Sequence, residues 1–405
     1  MADSLVRSSS AEIDANQASS RETALTAFTR LYLHIPWCLS KCGYCAFFSA
    51  PGTAEQREET ILLLLREMEL AAKHYAGGPL TSVYLGGGTP SLLTPHQVQR
   101  LLERSKQLWS HQPTCEVTLE ANPGTATAES LAGFHQAGIN RLSLGIQSLN
   151  DRTLQLLERP HNAAQARTAY AEARAAGFRN ISLDLICGLP YQSAEGWQHQ
   201  LQQVIELAPE HLSIYSLSIE EGTPFSRRYS DDSPELPDDD QTAAMLELAD
   251  QLLTTAGHEH YEIANFARPG HRSDHNSGYW LRDGYLGLGP SAHSLLLQGW
   301  GLRCSNPSDY QQWAARITAD QLAHHDPEQL SRQQALAEQL FLGLRMADGI
   351  SPQVCRELYG AQAWQPHEKT IAELLKTGLL EERGERIALT QRGMLLSNQV
   401  FVRFI

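Results

Sequence analysis

Three of the chain's seven cysteines, Cys38, Cys42 and Cys45, fall within the eight residues "CLSKCGYC", directly after the strand-like run "RLYLHIP". Thiolates are soft ligands that select zinc, copper(I) or iron–sulfur clusters. Structural zinc wants a closed tetrahedral shell, which His34 could complete as the fourth ligand. Zinc ligands, however, normally come as two separated pairs. A cubane 4Fe–4S cluster usually takes four thiolates, so three supplied locally leave one iron open to a substrate or cofactor. The missing thiol is then the functional feature. Cys115, Cys187, Cys304 and Cys355 are scattered, which suits buried free thiols in a reducing compartment better than a disulfide framework.

Other groups with chemical potential are spread along the next 150 residues. "GGGTP" contains Gly87, Gly88 and Thr89, and a tight glycine run lets backbone groups approach a ligand without side-chain obstruction. Alone it is more often a turn. Glu120 in "LEANPG", Gln147 in "SLGIQS", Arg159 in "LERPH" and Asp184 in "SLDLICGLP" each have a plainer reading as a solvated or capping residue.

What unites them is their position on the elements that carry them. From residue 30 to about 218, six β-like runs alternate with helical stretches: Leu31–Pro36, Thr81–Gly86, Cys115–Ala121, Asn140–Ser148, Asn180–Gly188 and His211–Ser218. This predicts an α/β fold, a partial (β/α)6 TIM-like barrel with its helices outside a parallel sheet. In such a fold the site lies at the C-terminal strand ends. Cys38, the glycine run, Glu120, Gln147 and Asp184 sit at or near that end of five successive strands, so one site lined by several loops is expected.

Four segments are expected: a disordered tail (1–29), the barrel (30–225), a connecting region (226–325) and a small helical, winged-helix-like domain (326–405). The tail is rich in Ser and Ala, carries acids and lacks an apolar core, unlike a signal peptide. The longest aliphatic run, "ILLLL" at Ile61–Leu65, is far short of the ~20 residues of a membrane span, so an integral membrane protein is not expected. A net charge of −14, from 46 acids against 32 bases, disfavours nucleic acid as partner.

The C-x3-C-x2-C spacing, the aromatic Tyr44 before the last cysteine and the position after a first barrel strand together resemble the radical S-adenosylmethionine (SAM) superfamily. The resemblance implies a 4Fe–4S cluster on Cys38, Cys42 and Cys45 that chelates SAM. "YLHIPWC" is similar to one branch, that of oxygen-independent coproporphyrinogen III oxidase and its relatives, over about residues 30–405. It implies that Tyr32 and Tyr44 flank the cofactor and that Gly87, Gly88, Thr89, Glu120, Gln147, Arg159 and Asp184 contact SAM.

Two functions compete within that branch. The oxidase pattern has another cysteine two residues past the cluster motif, where this chain has Phe47, and a longer N-terminal region that closes over substrate. The alternative is a heme chaperone, and "HNSGYW" (His275–Trp280) matches the HNxxYW motif of those relatives. An imidazole can serve as axial ligand to heme iron, which makes His275 the candidate, although His258, His260, His271 and His293 lie close enough in sequence to compete. The expectation is therefore a cytoplasmic heme chaperone, peripheral to the membrane when it delivers heme. By resemblance its partners are heme, an acceptor hemoprotein such as a membrane-bound respiratory enzyme, and an electron donor. A radical SAM enzyme acting on tRNA or protein has only the cluster in its favour. SAM cleavage, a homodimer and a second SAM site stay open at this level.

Overall fold

The computed structural model describes residues 27–230 and 232–405. The expected tail lies outside the described residues up to 26. Ala27 and Phe28 are buried, and the first strand begins at Phe28. Six parallel strands alternate with helices: β1 (Phe28–Ile35), α1 (Ala54–His74), β2 (Gly77–Gly87), α2 (Pro95–Trp109), β3 (His111–Ala121), α3 (Ala128–Ala137), β4 (Arg141–Gln147), α4 (Asp151–Leu156), α5 (Ala163–Ala175), β5 (Ile181–Cys187), α6 (Ala194–Leu207) and β6 (His211–Ser216). Each strand pairs in parallel with the next.

Period-2 alternation explains the two faces of this sheet. Leu31, Leu33, Val83, Leu85, Leu119, Leu142, Leu144, Leu183 and Leu212 bury against Leu64, Met68, Leu101, Phe134 and Trp197 of the outer helices. Residues of the other parity are polar and meet across the strands in register. Tyr32 pairs with Tyr84, Tyr84 with Thr118, and Thr118 with Arg141. One layer nearer the C-terminal ends, Glu120 pairs with Ser143, and Asp184 with Ser213. The helices start cleanly because Thr53, Thr94, Thr127 and Asn162 form capping boxes at α1, α2, α3 and α5.

Residues 226–325, read from the sequence as a connection, also build sheet. A short helix α7 (Pro224–Arg228) and a longer α8 (Asp239–Thr255) lead to β7 (Glu259–Glu262) and β8 (Asn265–Ala267), which extend the β6 edge antiparallel. Helix α9 (Asp274–Trp280) contains the whole HNSGYW segment. Strand β9 (Tyr285–Leu288) then pairs in parallel with β1, followed outward by antiparallel β10 (His293–Leu296), β11 (Leu302–Ser305) and β12 (His325–Gln329). Among the described residues the result is a twelve-stranded sheet in the order β12-β11-β10-β9-β1-β2-β3-β4-β5-β6-β8-β7.

The C-terminal region has its own apolar cluster, including Leu336, Leu340, Trp364, Ile371 and Leu389. It is built from α11 (Arg332–Gly343), α12 (Pro352–Tyr359), α13 (Ala361–Lys376) and the hairpin β13 (Leu380–Arg383) and β14 (Arg386–Leu389), α10 (Tyr310–Thr318) preceding it. Buried Glu338 on α11 ties it to the sheet by accepting from Arg282 at 2.9 Å and Arg303 at 2.5 Å. The Arg345 guanidinium lies 4.2 Å from the centre of the Trp280 ring at the end of α9.

A second buried carboxylate fastens the sheet extension to the barrel. Glu67 of α1 accepts from the Gly289 amide at 2.8 Å, Trp313 Nε1 at 3.1 Å and Asn306 Nδ2 at 2.6 Å. Burial pushes its carboxyl up to about 7 despite those donors. The folded state then holds this proton more tightly than the unfolded chain, so stability from this group is lost as pH rises from about 4.5 to about 7. Glu67→Gln should flatten that part of the stability–pH curve, whereas Glu67→Leu should cost about 3 kcal/mol or more by stranding three buried donors. Denaturant melts of both variants between pH 5 and pH 8, a range chosen to span the shift, check the two outcomes.

Candidate functional site

A cavity of about 560 Å³ opens at the C-terminal ends of the parallel strands. Every residue expected at the site lines it except Tyr32 and His275. The cysteine loop follows β1 and is anchored by Trp37, whose Nε1 donates to Thr60 Oγ1 on α1 at 2.8 Å. Cys38, Cys42 and Cys45 face the cavity from this loop, and Thr89 and Arg159 reach back to it. Thr89 Oγ1 donates to Cys38 Sγ at 3.4 Å, and Arg159 Nη1 donates to Cys42 Sγ at 3.4 Å.

Asn122, which the sequence reading did not single out, closes the arrangement. Its Nδ2 donates to Thr89 Oγ1 at 3.0 Å and its Oδ1 accepts from Arg159 Nη2, which also donates to the Gly145 carbonyl at 2.7 Å. Two cysteine sulfurs are thus joined through Thr89 and Asn122 of the loops after β2 and β3 and Arg159 of the connection between α4 and α5. Burial raises the Cys38 thiol above its ordinary range, and a hydrogen bond from Thr89 opposes that. The Arg159 guanidinium places a positive charge beside the Cys42 sulfur.

The opposite wall carries carboxylates. Glu120 Oε1 accepts from the Tyr84 hydroxyl at 2.8 Å, and Oε2 accepts from the Gly87 amide at 3.0 Å. Burial pushes Glu120 up to about 7. Asp184 accepts from Ser143 at 2.9 Å and Ser182 at 3.3 Å, and burial raises it too. Gly87 has φ +112°, and a Cβ there would sit 2.5 Å from the His34 ring, so the turn at this point demands glycine. Gln147 ends β4 with φ +60°, a conformation that costs energy in a non-glycine residue and turns the chain where it lines the cavity. Tyr44 lines the same cavity, its ring packed edge-on to Phe225 at 6.2 Å, and burial raises its hydroxyl pKa.

Both histidines weighed as ligands are engaged inside the protein. His34 does not offer a fourth ligand, because Nδ1 lies 3.0 Å from the Tyr32 hydroxyl and Nε2 2.9 Å from the Phe48 carbonyl. His275, the candidate axial ligand, lies outside the cavity lining. It is 1% exposed, with Nδ1 2.8 Å from Ser82 Oγ and Nε2 2.8 Å from the Tyr279 hydroxyl, so both ring nitrogens are engaged inside the protein. Tyr32 lies beneath the cavity, its ring 6.0 Å from that of Tyr84. No histidine is among the described residues lining the cavity.

The donor set fits an iron–sulfur cluster. Among the described residues no three metal-ligating side chains converge closely enough to share one ion; a cubane takes one thiolate per iron, and three cysteines around a common cavity suit that. The carboxylates and backbone amides opposite suit a ligand that carries both an ammonium and hydroxyls.

Comparison with known proteins agrees with the fold and the cysteine loop. A family model of the radical SAM superfamily matches residues 32–204, and a model of the HemN C-terminal domain matches residues 330–396. The structure of coproporphyrinogen III oxidase (HemN) from Escherichia coli superimposes with a TM-score of 0.81 over 96% of this chain and 92% of that one, at 23% identity, which establishes the shared fold. The molecule is a radical SAM protein by fold. Heme chaperone HemW of Bacillus subtilis is 32% identical over 92% of this chain and 98% of its own length, and that of Haemophilus influenzae is 42% identical over 66% and 70%. The chain belongs to the heme chaperone HemW family.

Cys38→Ala removes one of three thiols and the sulfur bonded by Thr89. After anaerobic reconstitution, iron and acid-labile sulfide should fall to background, while far-ultraviolet circular dichroism stays that of the wild type.

Proposed function

We propose that this chain binds a 4Fe–4S cluster through Cys38, Cys42 and Cys45, holds SAM between that cluster and the strand ends, and carries heme to an acceptor hemoprotein. The observation that carries the reading is a three-thiol loop facing Glu120, Asp184 and the Gly87–Thr89 turn across one cavity, in a chain similar to heme chaperones over nearly its whole length. When bound, the cluster would supply one open iron for the methionyl amino and carboxylate groups of SAM and an electron for its sulfonium.

The chain's own residues orient and select. Thr89 and Arg159 hold two of the sulfurs in place by hydrogen bonds, the positioning role that partners of metal ligands commonly have. Glu120 keeps the Gly87 turn in place and leaves carboxylate lone pairs for a ligand ammonium, and Asp184, steadied by two serines, does the same for hydroxyls. Gln147 and Tyr44 complete the walls.

The oxidase reading has the shared fold in its support, but a common fold at 23% identity hosts more than one chemistry. Phe47, 72% exposed at the cavity mouth where the oxidase pattern has cysteine, favours the chaperone. The same proposal puts delivery in the cytoplasm, next to a membrane when the acceptor is an integral respiratory enzyme, with an electron donor serving the cluster. Among the described residues no helix is long and apolar enough to cross a membrane.

Parallel assays of the reconstituted protein test this. Heme titration should show tight, saturable binding, and coproporphyrinogen III with SAM and a reductant should yield no protoporphyrinogen. Decarboxylated product would overturn the chaperone reading. Asp184→Asn should weaken SAM binding by about tenfold, the effect of losing one charged hydrogen bond, measured by equilibrium dialysis.

A further inference from the structure

The HNSGYW segment forms a helix whose amino end is clamped onto the base of the barrel. The amides of Asp274 and His275 donate to the two carboxylate oxygens of Glu116, each at 3.0 Å, and Ser273 Oγ donates at 3.4 Å. Glu116 lies four residues before Glu120 on β3, on the same polar face, in the middle of the strand. Arg30 straddles the helix, with 2.7 Å bonds to Asp274 and Asp283, and Gly278 lies so close that a Cβ there would meet Arg30 Nε at 1.6 Å. These contacts fix where His275 sits.

From that seat the His275 ring stacks on Tyr84, centroids 4.9 Å apart and planes at 30°. Bonds to Ser82 and Tyr279 lock the ring's own rotation. Burial, with Arg30 and Arg141 nearby, holds its pKa well below the ordinary histidine value, so it stays neutral and keeps one donor and one acceptor for those two hydroxyls. Tyr84 in turn donates to Glu120 Oε1, and Glu120 Oε2 accepts from the Gly87 amide. The contacts run without a break from α9 through His275, Tyr84 and Glu120 to the glycine turn.

We propose that His275 is a positioning residue for the SAM site: by stacking behind Tyr84 it holds the phenol in the orientation that bonds Glu120, and so keeps Glu120 and the Gly87–Thr89 turn set for the methionyl end of SAM. This rests on the reading that SAM occupies that cavity. A flat neighbour behind a tyrosine ring restricts a torsion that is otherwise broad. Without it the hydroxyl leaves Glu120 for part of the time, and a buried carboxyl stripped of its donor takes up a proton more readily.

The test is a double-mutant cycle on the full chain with its cluster reconstituted: His275→Ala, Tyr84→Phe and the pair, with His275→Gln in place of alanine should that variant not fold. SAM affinity is read by equilibrium dialysis and heme affinity by absorbance titration. Each single change should weaken SAM binding by about tenfold, and the pair should bind no worse than the weaker single, because both break one line of contact. His275→Phe, which restores a ring behind Tyr84, should recover most of the SAM affinity. Heme affinity should stay within about twofold of the wild type throughout, the scatter expected of independent sites. Additive losses in the cycle, or a loss of heme binding with SAM affinity intact, would overturn the assignment. Wild-type protein that binds no SAM would instead overturn the SAM reading beneath it.

Discussion

Burying ionised or strongly polar groups on the inner face of a sheet costs several kcal/mol for each one left without partners. This chain buries Arg30, Glu116 and Arg141 on that face and half-buries Glu120 and Asp184. Much of the architecture answers that constraint. Helix α9 docks where Glu116 needs amide donors, Arg30 takes two aspartates that flank the helix, and serines on β4 and β5 hold Asp184. Arg141 is the least satisfied, with Glu116 3.8 Å away. The groups that remain partly available lie at the cavity end of the strands, where a ligand can complete their bonding.

The six parallel strands were legible because each is long enough for alternation to declare itself, and because the helices begin with capping threonines or asparagine. The cysteine loop was legible from its spacing taken together with Tyr44 and its place after the first strand. Strands β7 to β12 were not: runs of three to five residues are too short for a period-2 pattern, and only pairing with a neighbour makes them strands. Tyr84, Asn122 and Glu116 escaped notice for a related reason. Each acts through a partner 20 or more residues away in sequence, and nothing local marks a phenol that will meet a carboxylate on the next strand.

His275 shows the reverse case, a residue that looks exposed in the sequence and is buried in the fold. A histidine among polar and aromatic residues looks available, and the family motif encouraged that reading. Yet "SDHNSGYW" also carries helix-start chemistry, a serine cap followed by an acid, and the structure uses it: Ser273 caps α9 and accepts from the Asn276 amide. A helix seated on a buried carboxylate carries its first residues into the interior. The imidazole is buried there, with its ring nitrogens bonded to Ser82 and Tyr279.

The same helix touches two bodies. At one end His275 packs on Tyr84 inside the barrel, and at the other Trp280 lies under Arg345 of the C-terminal region. Each residue of an α-helix turns the chain by about 100°. Adding or removing a single residue between these rings would therefore swing one of them off its partner by more than a quarter turn, whatever the composition of the segment. The short motif acts as a gauge of helical phase between the barrel and its C-terminal region, so its length should resist insertion and deletion more strictly than its loop-like composition suggests.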